Sequence, residues 1–206
     1  MPSSELTIID YGMGNIWSVQ NAMNFLNVKS NISSDSEFIS NSDCIILPGV
    51  GSFKEAMHTL KEKNIDQALT YAISKGSKIL GICLGMQLLG SSSTEEGFTE
   101  GLNFFNRKVE YFSQVEKGIK IPHIGFNSVH SDNASRLFNN IDQNSDFYFV
   151  HSYRMVLDNE DVGHSHCSYG EVFLSSFELD NIFGTQFHPE KSQSNGIKLL
   201  QNFLSL

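Results

Sequence analysis

Cys83 stands where an apolar run breaks into a helical pattern, Lys78-Ile79-Leu80-Gly81-Ile82-Cys83-Leu84-Gly85-Met86-Gln87. Glycines two residues to either side make this the cysteine counterpart of the G-x-S-x-G elbow, a sharp strand-to-helix turn that presents a nucleophile. Such a turn holds strained backbone and needs neighbours without side chains. The helix that follows points its N-terminus at the sulfur, which favours thiolate, the reactive form. It also leaves the Leu84 N–H free to donate to an oxyanion. Taken alone, the pattern also fits a buried structural cysteine, since free cysteine is among the most buried residue types.

A base for that nucleophile is available near the C-terminus, in Gly184-Thr185-Gln186-Phe187-His188-Pro189-Glu190. An expected strand from Ile182 to Phe187 delivers His188 at its end, and Pro189 stops it. Thiolate attack needs an imidazole to hold the proton and pass it to the leaving group. Glu190, across the proline turn, can fix the tautomer and position of that imidazole. Cysteine and histidine far apart in sequence are normal for such a pair, which meets only in the fold. A lone histidine at a strand end is more often structural, and the chain has seven histidines. His151 is a competitor, ranked lower because no carboxylate follows it at short range.

The elements that must position these groups begin as alternating strands and helices. Leu6 to Ile9 reads as a strand, followed by a glycine-rich turn and a helix in which Ile16, Val19, Met23 and Leu26 recur, with Asn15 as N-cap. Cys44 to Leu47 reads as a buried strand stopped by Pro48-Gly49. Ala56 to Ser74 reads as helix interrupted near Asn64. Ser77 to Cys83 is a third strand, and Leu84 to Leu89 starts another helix. This order predicts a parallel sheet covered on both faces. From Phe104 to His188 short strands rich in Phe, Tyr, Val and Ile take over, with turns at Asp132-Asn133 and Asp180-Asn181. A helix from Asn195 to Leu204 closes the chain. The expected fold is α/β: one domain over residues 1–206, with a mostly parallel central sheet flanked by helices and antiparallel strands added in the second half.

Composition excludes several functions. The 206 residues are 40% hydrophobic and 18% charged, as in a soluble globular protein with a real core. The formal net charge is -9, with no lysine- or arginine-rich stretch, which argues against nucleic-acid binding. No apolar run reaches membrane-span length, and MPSSELTIID lacks the features of a signal peptide. Three cysteines, Cys44, Cys83 and Cys167, are too few and odd in number for a disulfide framework. A reducing cytoplasm is the expected location. His164-Ser165-His166-Cys167 invites a metal reading. Strand alternation puts the two histidines on one face and Cys167 on the other. No fourth ligand is apparent, so no metal and no cofactor is expected.

The segments GICLGMQ and QFHPE resemble the signature of the class I glutamine amidotransferases. Ile9-Asp10-Tyr11-Gly12-Met13-Gly14-Asn15, Pro48-Gly49-Val50-Gly51-Ser52-Phe53, Pro122-His123-Ile124-Gly125, His151-Ser152-Tyr153 and His188-Pro189-Glu190-Lys191-Ser192-Gln193 extend the resemblance over nearly the whole chain. They point to one branch, the glutaminase subunits of imidazole glycerol phosphate synthase. The resemblance implies a Cys83, His188, Glu190 triad that releases ammonia from L-glutamine through a thioester. It implies an oxyanion hole from the backbone N–H groups of Val50 and Leu84. Glycines on both sides of Val50 would let that peptide reorient. Substrate contacts fall on Gly51, Gln87, Ser152 and Tyr153. The implied partner is a (β/α)8-barrel cyclase on a separate chain, met through elements that include Gly12, Asn15 and Phe126. The ammonia would feed synthesis of imidazole glycerol phosphate and an aminoimidazole carboxamide ribotide.

Three places depart from the branch pattern. Phe126 stands where a tryptophan is usual, Gly101 to Arg107 lacks a glycine often found near Asn106, and His164 to Cys167 replaces a neutral stretch. These departures keep other readings open: a paralogous glutaminase that serves amidation of a surface sugar, a catalytically silent regulatory partner, and a cysteine peptidase. Intact triad positions argue against the silent partner.

Overall fold

The computed structural model describes residues 6–112, 119–132, 134–157 and 163–206. The first half is laid down as β1 (Leu6–Ile9), α1 (Ile16–Phe25), β2 (Ser30–Ser33), α2 (Ser36–Ser40), β3 (Cys44–Gly49), α3 (Phe53–Glu62), α4 (Ile65–Ser74), β4 (Lys78–Cys83) and α5 (Leu84–Leu88). Then come β5 (Ser92–Ser93), β6 (Thr99–Glu100), β7 (Lys108–Tyr111), β8 (His123–Ser131), β9 (Ser145–His151), β10 (Tyr153–Met155), β11 (Ser165–Tyr169), β12 (Glu171–Leu179) and β13 (Ile182–Thr185). A 3-10 turn at Pro189–Lys191 leads into α6 (Gln193–Ser205).

The parallel part runs in the order β2-β1-β3-β4-β13. Its strands read as continuous apolar runs because both faces are covered. In β3, Cys44 and Ile46 pack on one side with α1 and α6, and Ile45 and Leu47 on the other with α3 and α4. β13 is the last strand in sequence, yet it pairs with β4, with Thr185 opposite Ile82. This crossover brings the C-terminal histidine segment beside the cysteine strand. The added strands are mostly antiparallel: β12 pairs with β13, β11 with β12 and β8, and β8 with β9 over seven residue pairs.

Several boundaries differ from expectation for identifiable reasons. β3 continues through Pro48 and Gly49, which pair with Ile82 and Cys83 of β4. The proline falls at the end of the strand, and its carbonyl accepts from the Tyr11 hydroxyl at 2.9 Å. α3 begins at Phe53, earlier than expected, because the Ser52 side chain caps the Glu55 N–H. The break near Asn64 is real: Asn64 is left-handed at φ 55 and separates α3 from α4. β13 ends at Thr185, not Phe187, and α6 starts at Gln193. Asp180, also left-handed at φ 52, makes the β12–β13 turn. Asn133 of the other expected turn lies outside the described residues. No helix among the described residues is long and apolar enough to cross a membrane.

Candidate active site

The elbow is built by close backbone packing. Cys83 itself carries the left-handed torsion, φ 56 with ψ −111, a conformation that costs about 1–3 kcal/mol outside glycine. The flanking glycines leave out side chains, as expected, and close backbone packing is the reason. A Cβ on Gly81 would come within 2.7 Å of the Gly85 backbone, and one on Gly85 would overlap the Leu47 carbonyl. The two glycines therefore let α5 press against β4 and β3, which forces the sharp reversal at the residue between them. α5 has only five residues. It offers the sulfur local N–H groups rather than the field of a long helix, and the Leu84 N–H at its first position has no intrahelical partner.

His188 is held from three sides. Its N–H donates to the Tyr148 carbonyl at 2.8 Å, and its own carbonyl accepts from Ser192 Oγ at 2.6 Å. Its Nδ1–H donates to Glu190 Oε1 at 2.8 Å. The side chains of both partners are almost fully buried, 2% and 1% exposed. Nε2 makes no close hydrogen bond and has the Cys83 sulfur as its electrostatic neighbour. Burial opposes a charge on this imidazole, but Cys83 and Glu190 together outweigh it and raise its pKa above the usual histidine range. The structure thus brings Cys83, His188 and Glu190 together in the order sulfur, imidazole, carboxylate.

A cavity of about 300 Å³ opens on the sulfur, at the small end of the roughly 300–1,000 Å³ usual for small-molecule sites. Its walls carry Val50 and Gly51 from the β3–α3 turn and Cys83, Leu84 and Gln87 from the elbow. The β9–β10 turn contributes Ser152 and Tyr153, both expected, together with His151. Gly51 needs its glycine, with φ +106. Val50 does not aim its N–H at the cavity as an oxyanion donor would: that N–H faces the Met13 carbonyl at 3.4 Å. Gln87 is tied inward, donating to the Tyr153 carbonyl at 2.9 Å.

Gly12 and Asn15 lie in the β1–α1 turn. Gly12 is left-handed at φ +90 with open space around it, and Asn15 caps α1 by accepting from the Ser18 N–H. Phe126 on β8 is half exposed and packs edge-on against Tyr148. In the histidine cluster, alternation along β11 holds as expected: Ser165 and Cys167 are buried, while His164 and His166 lie on the more open face, and the register shift near Ser165 takes its extra residue, Ser175, from β12. His164 faces Asp132 at 3.4 Å, while His166 stacks on His130. Among the described residues no three His, Cys, Asp or Glu side chains are grouped to hold a metal.

Two residues escaped the sequence reading. Glu95 lines the cavity, and its carboxylate accepts from the Phe53 N–H at the start of α3. Burial raises its pKa, with the Phe53 bond opposing. No periodicity marks it in sequence. Gln186 approaches the Cys83 sulfur and lies inside the quoted QFHPE segment, so its place beside His188 was the available signal.

The model of the glutamine amidotransferase class-I family matches residues 7–206. The chain is 44% identical over 205 residues to imidazole glycerol phosphate synthase subunit HisH 1 of Parasynechococcus marenigrum, covering 98% of each. It is 44% identical over 197 residues to subunit HisH of Aquifex aeolicus, covering 95% of this chain and 94% of that one. Among solved structures, PurLQS of Thermotoga maritima superposes with a TM-score of 0.75 at 18% identity over 98% of both chains. A glutamine amidotransferase of Thermotoga maritima gives 0.62 at 15% identity, over 100% of this chain and 85% of that one. At those identities the structural likeness speaks for the fold alone. With the family match and the relatives together, the chain belongs to the class-I glutamine amidotransferases and, within them, to the HisH subunits.

Proposed function

We propose that the chain hydrolyses L-glutamine to glutamate and ammonia, as the ammonia-supplying subunit of an imidazole glycerol phosphate synthase. The observation that carries this reading is a cysteine sulfur on a strained elbow at a cavity wall, with a buried, hydrogen-bonded His188–Glu190 pair beside it. Cys83 attacks the side-chain amide carbon. His188 passes a proton to the departing nitrogen, and ammonia leaves a thioester. His188 then takes a proton from water, which attacks the thioester and releases glutamate and the free sulfur. Glu190 holds the imidazole in the tautomer that presents Nε2 to the sulfur. Leu84 supplies one oxyanion donor. Val50 supplies the second once its peptide turns from the Met13 carbonyl, so the subunit rests in a low-activity state.

The partner is a (β/α)8-barrel cyclase that docks over this face and receives the ammonia. The names of the relatives favour the histidine-pathway acceptor over a sugar-amidating paralogue. The test is Cys83→Ala assembled with the cyclase. Glutamine-dependent synthesis should vanish, while synthesis from added ammonium salt continues at the wild-type rate. Loss of both in a correctly assembled complex would overturn the division of labour.

A further inference from the structure

Gln186 has no part in the chemistry above, yet its side chain ends at the reacting atom. It is fully buried. β13 pairs with β4 so that Thr185 lies opposite Ile82, and the next residues on each strand, Gln186 and Cys83, stand side by side. Gln186 Nε2 lies 3.7 Å from Cys83 Sγ, and its Oε1 accepts from Gln87 Nε2 at 2.9 Å. The same Gln87 nitrogen donates to the Tyr153 carbonyl.

The polarity of this chain is fixed by its far end. A carboxamide has one donor end and one acceptor end, and its partners decide which points where. A backbone carbonyl only accepts, so Gln87 must turn its nitrogen to Tyr153. That nitrogen also meets Gln186, which must therefore present oxygen to it. The Gln186 nitrogen is then left facing the sulfur. His151 reinforces the anchor: its Nδ1 lies 2.8 Å from the same Tyr153 carbonyl.

The sulfur's second bond has the opposite sense. Cys83 Sγ donates to the Val150 carbonyl at 3.8 Å, which requires a proton on sulfur. A thiolate loses that bond and keeps the one from Gln186, which strengthens because the acceptor is now charged.

We propose that Gln186 is a positioning residue of the glutaminase reaction, holding the Cys83 thiolate in place and coupling it through Gln87 to the Tyr153 strand of the cavity. The proposal rests on the function proposed above. Its polarity argument also gives the two substitutions that probe it. Gln186→Met keeps length and removes the donor. Gln186→Glu keeps shape and turns an acceptor toward the sulfur.

The measurement is the pH dependence of iodoacetamide alkylation at Cys83, followed by peptide mass spectrometry on the full-length folded chain. Gln186→Met should alkylate about tenfold more slowly at neutral pH, with the midpoint moved up by about one pH unit. Gln186→Glu should move it further. Should Gln186→Met fail to fold, the near-isosteric Glu variant carries the test. Midpoints matching wild type in the folded variants would overturn the proposal, as a purely structural role predicts. Wild-type chain that hydrolyses no glutamine with an active cyclase would instead overturn the function, whatever the alkylation midpoints.

Discussion

Two buried histidines stand near Cys83, and they are built on the same local plan. His188 donates from Nδ1 to Glu190, two residues on, at 2.8 Å. His151 places Nδ1 2.8 Å from a group two residues on, the Tyr153 carbonyl. Both are nearly inaccessible, 2% and 6% exposed. Their electrostatics are opposite. Burial opposes charge at His188, but Cys83 and Glu190 overcome it and raise its pKa. At His151 burial wins and pushes the pKa down to about 3; the Tyr153 carbonyl opposes this without reversing it, and neighbouring His123, His188 and Arg154 add to the lowering. A full negative charge in a low-dielectric site outweighs the cost of burial, and a single carbonyl dipole does not. Enclosure alone therefore does not set an imidazole's charge preference; at His188 the Cys83 sulfur first, and the Glu190 carboxylate after it, reverse the effect of burial.

Replacing His188 gives the largest expected effect on this contrast. His188→Ala should lower kcat for glutamine hydrolysis in the cyclase complex about 10²–10⁴-fold, the range for a lost general acid–base. His151→Gln should change kcat only a few-fold. Equal losses at the two positions, in steady-state assays on folded complexes, would erase the distinction.

Glu190→Gln probes the same contrast from the carboxylate side. It converts the charged partner of His188 into a neutral one, making the site resemble that of His151. A charge-assisted hydrogen bond is worth about 1.5–3 kcal/mol, so kcat should fall roughly ten- to hundredfold. The acid limb of the kcat/KM profile should also move, down in pH, because His188 would hold its proton less firmly. A variant with an unchanged profile would show that Glu190 only packs against the ring.

The legible part of this site was the part whose chemistry repeats at short range. The G-x-C-x-G spacing and the His-Pro-Glu run each put two or three functional groups within a few residues. The parallel βα order that brings them together was also visible as apolar runs alternating with helical spacing. What stayed hidden depends on long-range register. Gln186 meets Cys83 only because the last strand inserts beside β4. Glu95 reaches the cavity only because its carboxylate caps α3, 42 residues earlier. The need for side-chain-free residues at Gly81 and Gly85 was legible in the spacing, but the contacts that impose it, with each other and with Leu47, were not, because no local pattern encodes them. Proline likewise misled at Pro48, where a strand end tolerates the missing N–H that a strand interior would not.

The smallest expected effect on turnover, and the finest test of the contrast, is in stability against pH. His151 Nε2 lies 3.1 Å from Nδ1 of His123, which is stacked between Phe149 and Tyr169. Burial also pushes the His123 pKa down, to about 4. With folded pKa values below the unfolded value of about 6.5, both rings bind protons in the unfolded chain before they do in the folded one. Their contribution is complete above pH ~6.5 and is lost as pH falls toward 4 and then 3. His188 runs the other way: its raised pKa gives a contribution complete below pH ~6.5 and lost as pH rises through the folded value. Wild-type protein sums the two, so a variant is needed to separate them. His123→Phe keeps an aromatic ring in the stack and removes one group that resists protonation. Denaturant unfolding at pH 7 should show a loss of about 1–3 kcal/mol, from the unsatisfied His151 nitrogen. Between about pH 6.5 and 4 the variant should lose less stability than wild type, by an amount on the order of a few kcal/mol. Parallel stability curves over that interval would mean that His123 takes up its proton in the folded state as readily as in the unfolded one. The pair would then not be the neutral counterpart of His188 and Glu190.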